Sequence, residues 1–147
     1  MNTTARAQPP IEAQQKLHYG LWTAQVLLAV VFAVTGFMKL TISAAVIAHS
    51  MPAGVGLSVP LMRFIGFAEV AGAIGLILPS ATRILPVLTP VAAGALAVVM
   101  VLAALLHASM SEIGSLAVVL VLGAIALFIS WGRTKRVPIL ARSNGKM

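Results

Sequence analysis

The chain has 147 residues, 60% of them hydrophobic and 9% charged, with a net charge of +7 and no cysteine; its mean hydropathy is +1.03. Soluble domains carry about 25% charged residues, so this composition excludes an ordinary soluble domain and points to one membrane domain. Without thiols there are no disulfides, no thiolate metal sites and no thiol redox relay. The basic residues lie beside apolar runs and are not spread over a soluble face, which suits an anionic membrane surface and not nucleic acid.

Residues 1–20 read as a flexible polar tail, with a short interfacial helix near Ile11–Leu17. The first apolar run, about 21–40, is too long for a signal peptide and is followed by Gly36-Phe37-Met38-Lys39 in place of a cleavage motif, so it reads as a signal anchor. Residues 41–60 are broken by Ser43, Pro52, Gly54, Gly56 and Pro60, with a short helix expected over Ile42–Ala48. A second span is expected over 61–78, closed by Pro79-Ser80, and a third over about 87–107, with Pro90 in its first turn, where a missing N–H is tolerated. The fourth, 113–131, leads into a basic tail over 132–147. The fold class is therefore an all-α, integral-membrane four-helix bundle.

Four spans bring both termini to one side, which collects Arg6, Lys16, Arg83, Arg133, Lys135, Arg136, Arg142 and Lys146. The positive-inside rule makes that side cytoplasmic, and Tyr19, Trp22 and Trp131 fall there as an aromatic belt. The basic tail is expected either to attract anionic headgroups or to act only as a topology determinant.

The unusual residues lie toward the opposite, outer side: Lys39 ends the first span, Arg63 begins the second, His107 ends the third and Glu112 begins the fourth. Glu69 lies deeper in the second span, where an ionised carboxylate costs about 2.5–3.5 kcal/mol on insertion scales unless it finds a partner, a proton or water. Arg63 is six residues away, about 120° around the helix, so Glu69 must look to another helix. The expected partners are Lys39, His107 or both, with Gly66 leaving space beside the carboxylate and Phe37, Phe64 and Phe67 around it. Such residues serve either a ligand or proton site or an ion-pair network that fixes helix packing. No pair of histidines or acids has metal-ligand spacing, so no metal site is expected.

Gly36-Phe-Met-Lys39-Leu, Pro60-Leu-Met-Arg-Phe-Ile-Gly66-Phe-Ala-Glu69, Gly72-Ala-Ile-Gly-Leu-Ile-Leu-Pro79 and Ala103/Ala104 with His107 together resemble the DoxX-like family of small four-span membrane proteins, over roughly Trp22 to Gly132. The resemblance implies a four-helix bundle with a polar cluster near one membrane face. It also implies a link to quinone-dependent respiration, since the family takes its name from such a component and other members are described as membrane partners of redox enzymes or assembly factors. Some relatives of the wider group use cysteines for redox chemistry, which this chain lacks.

The leading expectation is a multi-pass protein of the cytoplasmic (inner) membrane. It binds a hydrophobic small molecule such as a quinone at Lys39, Arg63, Gly66, Glu69 and His107 and serves a redox partner, with no intrinsic cofactor. Arg63 or Lys39 would donate to a ring carbonyl, and Glu69 or His107 would relay a proton. Two alternatives stand beside it: a proton-coupled transporter using Glu69, which requires a homo-oligomer, and a non-catalytic scaffold docking other helices through Ala68/Gly72/Gly75 and Ala93/Ala97.

Overall fold

A computed structural model describes residues 11–46 and 58–142. Of the short helix expected over Ile42–Ala48, residues 44–46 are helical, Ile42 and Ser43 are not, and residues 47–48 lie outside the described residues, as do Arg6 and Lys146. Four long helices occupy the described chain: α1 (Ile11–Thr41), α2 (Val59–Thr82), α3 (Leu88–Ser109) and α4 (Ile113–Trp131), followed by a π-type turn at Gly132–Arg136. Each is long and apolar enough to cross a membrane.

Two expected boundaries are corrected. Residues 11–20 are not a tail with a separate interfacial helix but the first turns of α1, whose 31 residues rise about 46 Å, more than a bilayer's hydrocarbon core of about 30 Å. No proline interrupts them, and Glu12 sits in the first turn, where an acid suits the positive end of the helix dipole. Likewise α2 does not close at Pro79 but continues to Thr82 and ends at Arg83 in the left-handed conformation, φ 59°. A proline inside a helix removes one backbone bond, and such a break is tolerated where neighbouring helices enclose it; Pro79 is buried. At its start, the Ser58 hydroxyl accepts from the Leu61 N–H at 3.4 Å and a proline occupies the first turn.

Helices adjacent in sequence pack side by side, α1 on α2, α2 on α3 and α3 on α4, and α1 meets α4 along a shorter seam. The buried core includes Leu28, Phe32, Leu76, Leu96, Met100 and Ile129. Outward-facing positions are apolar too, with Leu27, Val98, Leu105 and Leu120 exposed. A helix apolar all round belongs in lipid. Of the small residues expected to dock a partner, Ala68 is half-buried and the other four are used inside the bundle. A Cβ on Gly72 would lie 2.6 Å from Leu96 and one on Gly75 2.7 Å from Ala92, both residues of α3, and Ala93 and Ala97 are buried in the core.

Candidate functional site

Near the end of the bundle away from the termini, α1 and α2 cross at two glycines. A Cβ on Gly36 would stand 2.7 Å from the Gly66 carbonyl oxygen, and one on Gly66 would stand 2.8 Å from the Gly36 carbonyl and 2.9 Å from Lys39 Cβ. Only glycine at both positions lets the backbones come this close. One turn along from each, Lys39 and Glu69 face one another. Lys39 Nζ donates to Glu69 Oε1 at 2.8 Å and to Oε2 at 2.7 Å, and the Thr35 hydroxyl donates to Oε2 at 3.2 Å. The Glu69 side chain is 4% exposed and that of Lys39 30%, so the carboxylate is enclosed while the ammonium reaches the edge of the helix pair. An ammonium has three donors. Two are engaged with Glu69.

Arg63 stands next to this pair and serves another purpose. Its Nη1 donates to the Lys39 carbonyl at 2.6 Å and its Nη2 to the Ile42 carbonyl at 2.5 Å. The last carbonyls of a helix have no partner within it, and a guanidinium placed there satisfies them and complements the dipole. His107 does not reach Glu69. Its Nδ1 donates to Glu112 Oε2 at 2.7 Å across the α3–α4 turn, where the Glu112 N–H also donates to the His107 carbonyl at 3.0 Å. The five residues therefore divide into a Lys39–Glu69 pair seated on Gly66, an arginine clamp on the end of α1, and a separate local pair. Phe37, Phe64 and Phe67 are each more than 60% exposed and point away from the bundle. Among the described residues no group of three His, Asp or Glu stands close enough to hold a metal ion.

A second polar site, which sequence reasoning missed, occupies the end that carries the termini. Arg133 is 3% exposed although it follows the last span, in the stretch expected to form a basic tail. Its Nε donates to Gln25 Oε1 at 2.6 Å, and the Gln25 amide donates in turn to the Leu76 carbonyl at 2.6 Å, linking the π-type turn, α1 and α2. Arg133 Nη1 donates to His18 Nδ1 at 3.3 Å, and the guanidinium lies 5.4 Å from the centre of the Trp22 ring. Gly132 permits this, because a Cβ there would sit 2.6 Å from the buried Leu21 side chain. The π-type turn closes with the Val137 N–H donating to the Gly132 carbonyl at 2.8 Å. The available signal was Gln25, an amide in the middle of an apolar run, which has to find a polar partner.

Four membrane-crossing helices, apolar outside as well as inside and carrying an enclosed ion pair, define a multi-pass membrane helical bundle. The model of the DoxX-like family matches residues 23–141, and the chain belongs to that family. No curated protein and no solved structure matches it.

Proposed function

We propose that this DoxX-like protein binds a hydrophobic carbonyl compound of the quinone type beside the Lys39–Glu69 pair and serves a membrane redox partner. One observation carries the reading. Lys39 makes two hydrogen bonds to Glu69 and keeps a third donor, on a side chain that is 30% exposed at the edge of the α1–α2 pair. A ring carbonyl arriving from the lipid accepts from that donor without breaking the ion pair, and Glu69 stays as the group that holds the charge in place. A lipid-soluble ring meets apolar surface on either side, since Phe37 and Phe67 are exposed on the same two helices.

The two alternatives have less support. Proton exchange at Glu69 in a transporter needs an accessible carboxylate, and this one is 4% exposed and accepts three hydrogen bonds. A scaffold built on Ala68/Gly72/Gly75 and Ala93/Ala97 would need those faces on the outside, and apart from the half-buried Ala68 they pack within the bundle. For orientation we infer termini in the cytoplasm of a cell with an inner membrane, because Lys16, Arg83, Lys135 and Arg136 share the end that carries them.

The test is titration of the full chain in neutral-lipid nanodiscs with a short-tailed benzoquinone, followed by thermal denaturation. The wild type is expected to gain thermal stability with ligand. The double variant Lys39→Met/Glu69→Gln, which removes the donor without stranding a charge, is expected to gain none. Equal stabilisation of the two proteins would refute a site at Lys39.

A further inference from the structure

At the end that carries the termini, a cavity of about 780 Å³ opens between the α2–α3 loop, the start of α3 and the last turn of α4. That volume lies within the range of about 300–1,000 Å³ usual for small-molecule sites. Leu85, Val87 and Val91 form an apolar, exposed part of its wall, and Arg133 forms a polar part.

The hydroxyls around the cavity are already committed as donors. Ser80 donates to Thr89 Oγ1 at 2.8 Å, Ser130 to the Pro90 carbonyl at 3.0 Å and Thr134 to the Ser130 carbonyl at 2.6 Å. Arg133 Nη2 is different. Among the described residues it is the one buried side-chain nitrogen or oxygen with no hydrogen-bond partner. Its guanidinium also lacks a counter-ion, since the ion pairs among those residues are Lys39 with Glu69 and His107 with Glu112. A buried cation with neither an anion nor a full set of acceptors is costly, and an incoming oxyanion supplies both. The amino-terminal end of α3, the positive end of its dipole, borders the same cavity at Pro86 and Val87. Trp22 and Trp131 lie at this end of the bundle and place Arg133 at headgroup depth.

We propose that this cavity is a binding site for the phosphate group of an anionic phospholipid, held by Arg133, with the upper acyl chain along Val87 and Val91. It is distinct from the diffuse attraction of Lys135 and Arg136, which are exposed. The site places one lipid between α3, the end of α4 and residues 138–141, next to the Gln25–Arg133 link to α1.

The experiment measures binding of phosphatidylglycerol to the full chain in mild detergent by native mass spectrometry and by thermal stabilisation, with phosphatidylcholine and inorganic phosphate as the other probes. The wild type is expected to prefer phosphatidylglycerol. Arg133→Gln is expected to lose at least about tenfold in affinity, the weight of one charged hydrogen bond, while Lys135→Gln/Arg136→Gln loses less than about threefold. Because Arg133→Gln also removes a helix link, Val91→Trp provides the second variant: it fills the cavity from an exposed position, leaves Arg133 intact and is expected to abolish the preference. Equal binding of the two lipids by the wild type, or retained preference in both Arg133→Gln and Val91→Trp, overturns the proposal. Protection by inorganic phosphate equal to that by the lipid overturns the assignment to a lipid.

Discussion

Removing either partner of the Lys39–Glu69 pair should destabilise the bundle, and by unequal amounts. Glu69 is 4% exposed and accepts both contacts from Lys39 as well as one from Thr35. In Lys39→Met it is left enclosed with only the weak Thr35 contact, close to the full case of a stranded buried charge, for which about 3–5 kcal/mol is typical. In Glu69→Gln the remaining ammonium is 30% exposed and sits on a flexible stem. It can swing toward the membrane surface, and the new amide oxygen still accepts from it, so the loss should be smaller, about 2 kcal/mol. The double variant Lys39→Met/Glu69→Gln leaves no charge to strand and should cost about 1 kcal/mol, so the coupling between the positions exceeds the roughly 0.5 kcal/mol scatter of independent sites. Reversible unfolding of the four proteins by denaturing detergent gives all the terms of the cycle. Additive single effects would mean that the pair does not form. A larger loss from Glu69→Gln than from Lys39→Met would mean that the burial of the two groups is the reverse of that described.

The glycine crossing makes a sharper steric prediction. Gly66→Ala brings a Cβ to 2.8 Å from the Gly36 carbonyl, a backbone atom that can move only with its helix, whereas nothing stands within 4 Å of a Cβ at Gly114. Gly66→Ala should therefore cost about 1–3 kcal/mol in the same unfolding assay, while Gly114→Ala should be neutral or stabilise by up to about 1 kcal/mol. For orientation, reporter fusions after Met147 and within residues 50–58 should report cytoplasmic and extracytoplasmic positions respectively. The reverse pattern would turn the Lys39–Glu69 end toward the cytoplasm.

The pairing of Glu69 was legible because a carboxylate inside an apolar span has few ways to be satisfied, and Arg63, six residues off, is on the wrong face. Lys39 was one of two candidates on other helices. His107 was the other, and it is engaged by Glu112, five residues away across a tight turn, a partner that costs little chain entropy to reach. The role of Arg63 was hidden for a different reason. Its partners are the carbonyls of Lys39 and Ile42, and backbone groups left open at a helix end do not show in a list of side chains. Proline and glycine punctuation alone does not fix the ends of membrane helices. Pro79 looked like a stop, yet a buried proline late in a membrane helix removes one backbone bond and need not end it.

Arg133 shows the limit of treating charge as a regional property. By position it belongs with Lys135 and Arg136, and composition gives no reason to separate them. The separation comes from Gly132, whose missing side chain lets the turn close onto Leu21 of α1, and from the five-residue spacing between the Gly132 carbonyl and the Val137 N–H. Once there, the guanidinium meets Gln25, His18 and Trp22, none of them an acid. Lys39 and Arg133 thus meet opposite circumstances. The first is a lysine at the edge of the bundle whose charge is compensated by the carboxylate beside it; the second is an enclosed arginine with neutral neighbours and no counter-ion among the described residues. A charge compensated within the chain contributes chiefly to holding helices together, whereas one left uncompensated in an enclosed site is stabilised by whatever anion can enter. Occupancy of the Arg133 cavity should accordingly raise the stability of the α1–α4 seam, a coupling that the Lys39–Glu69 pair on the α1–α2 side has no means to provide.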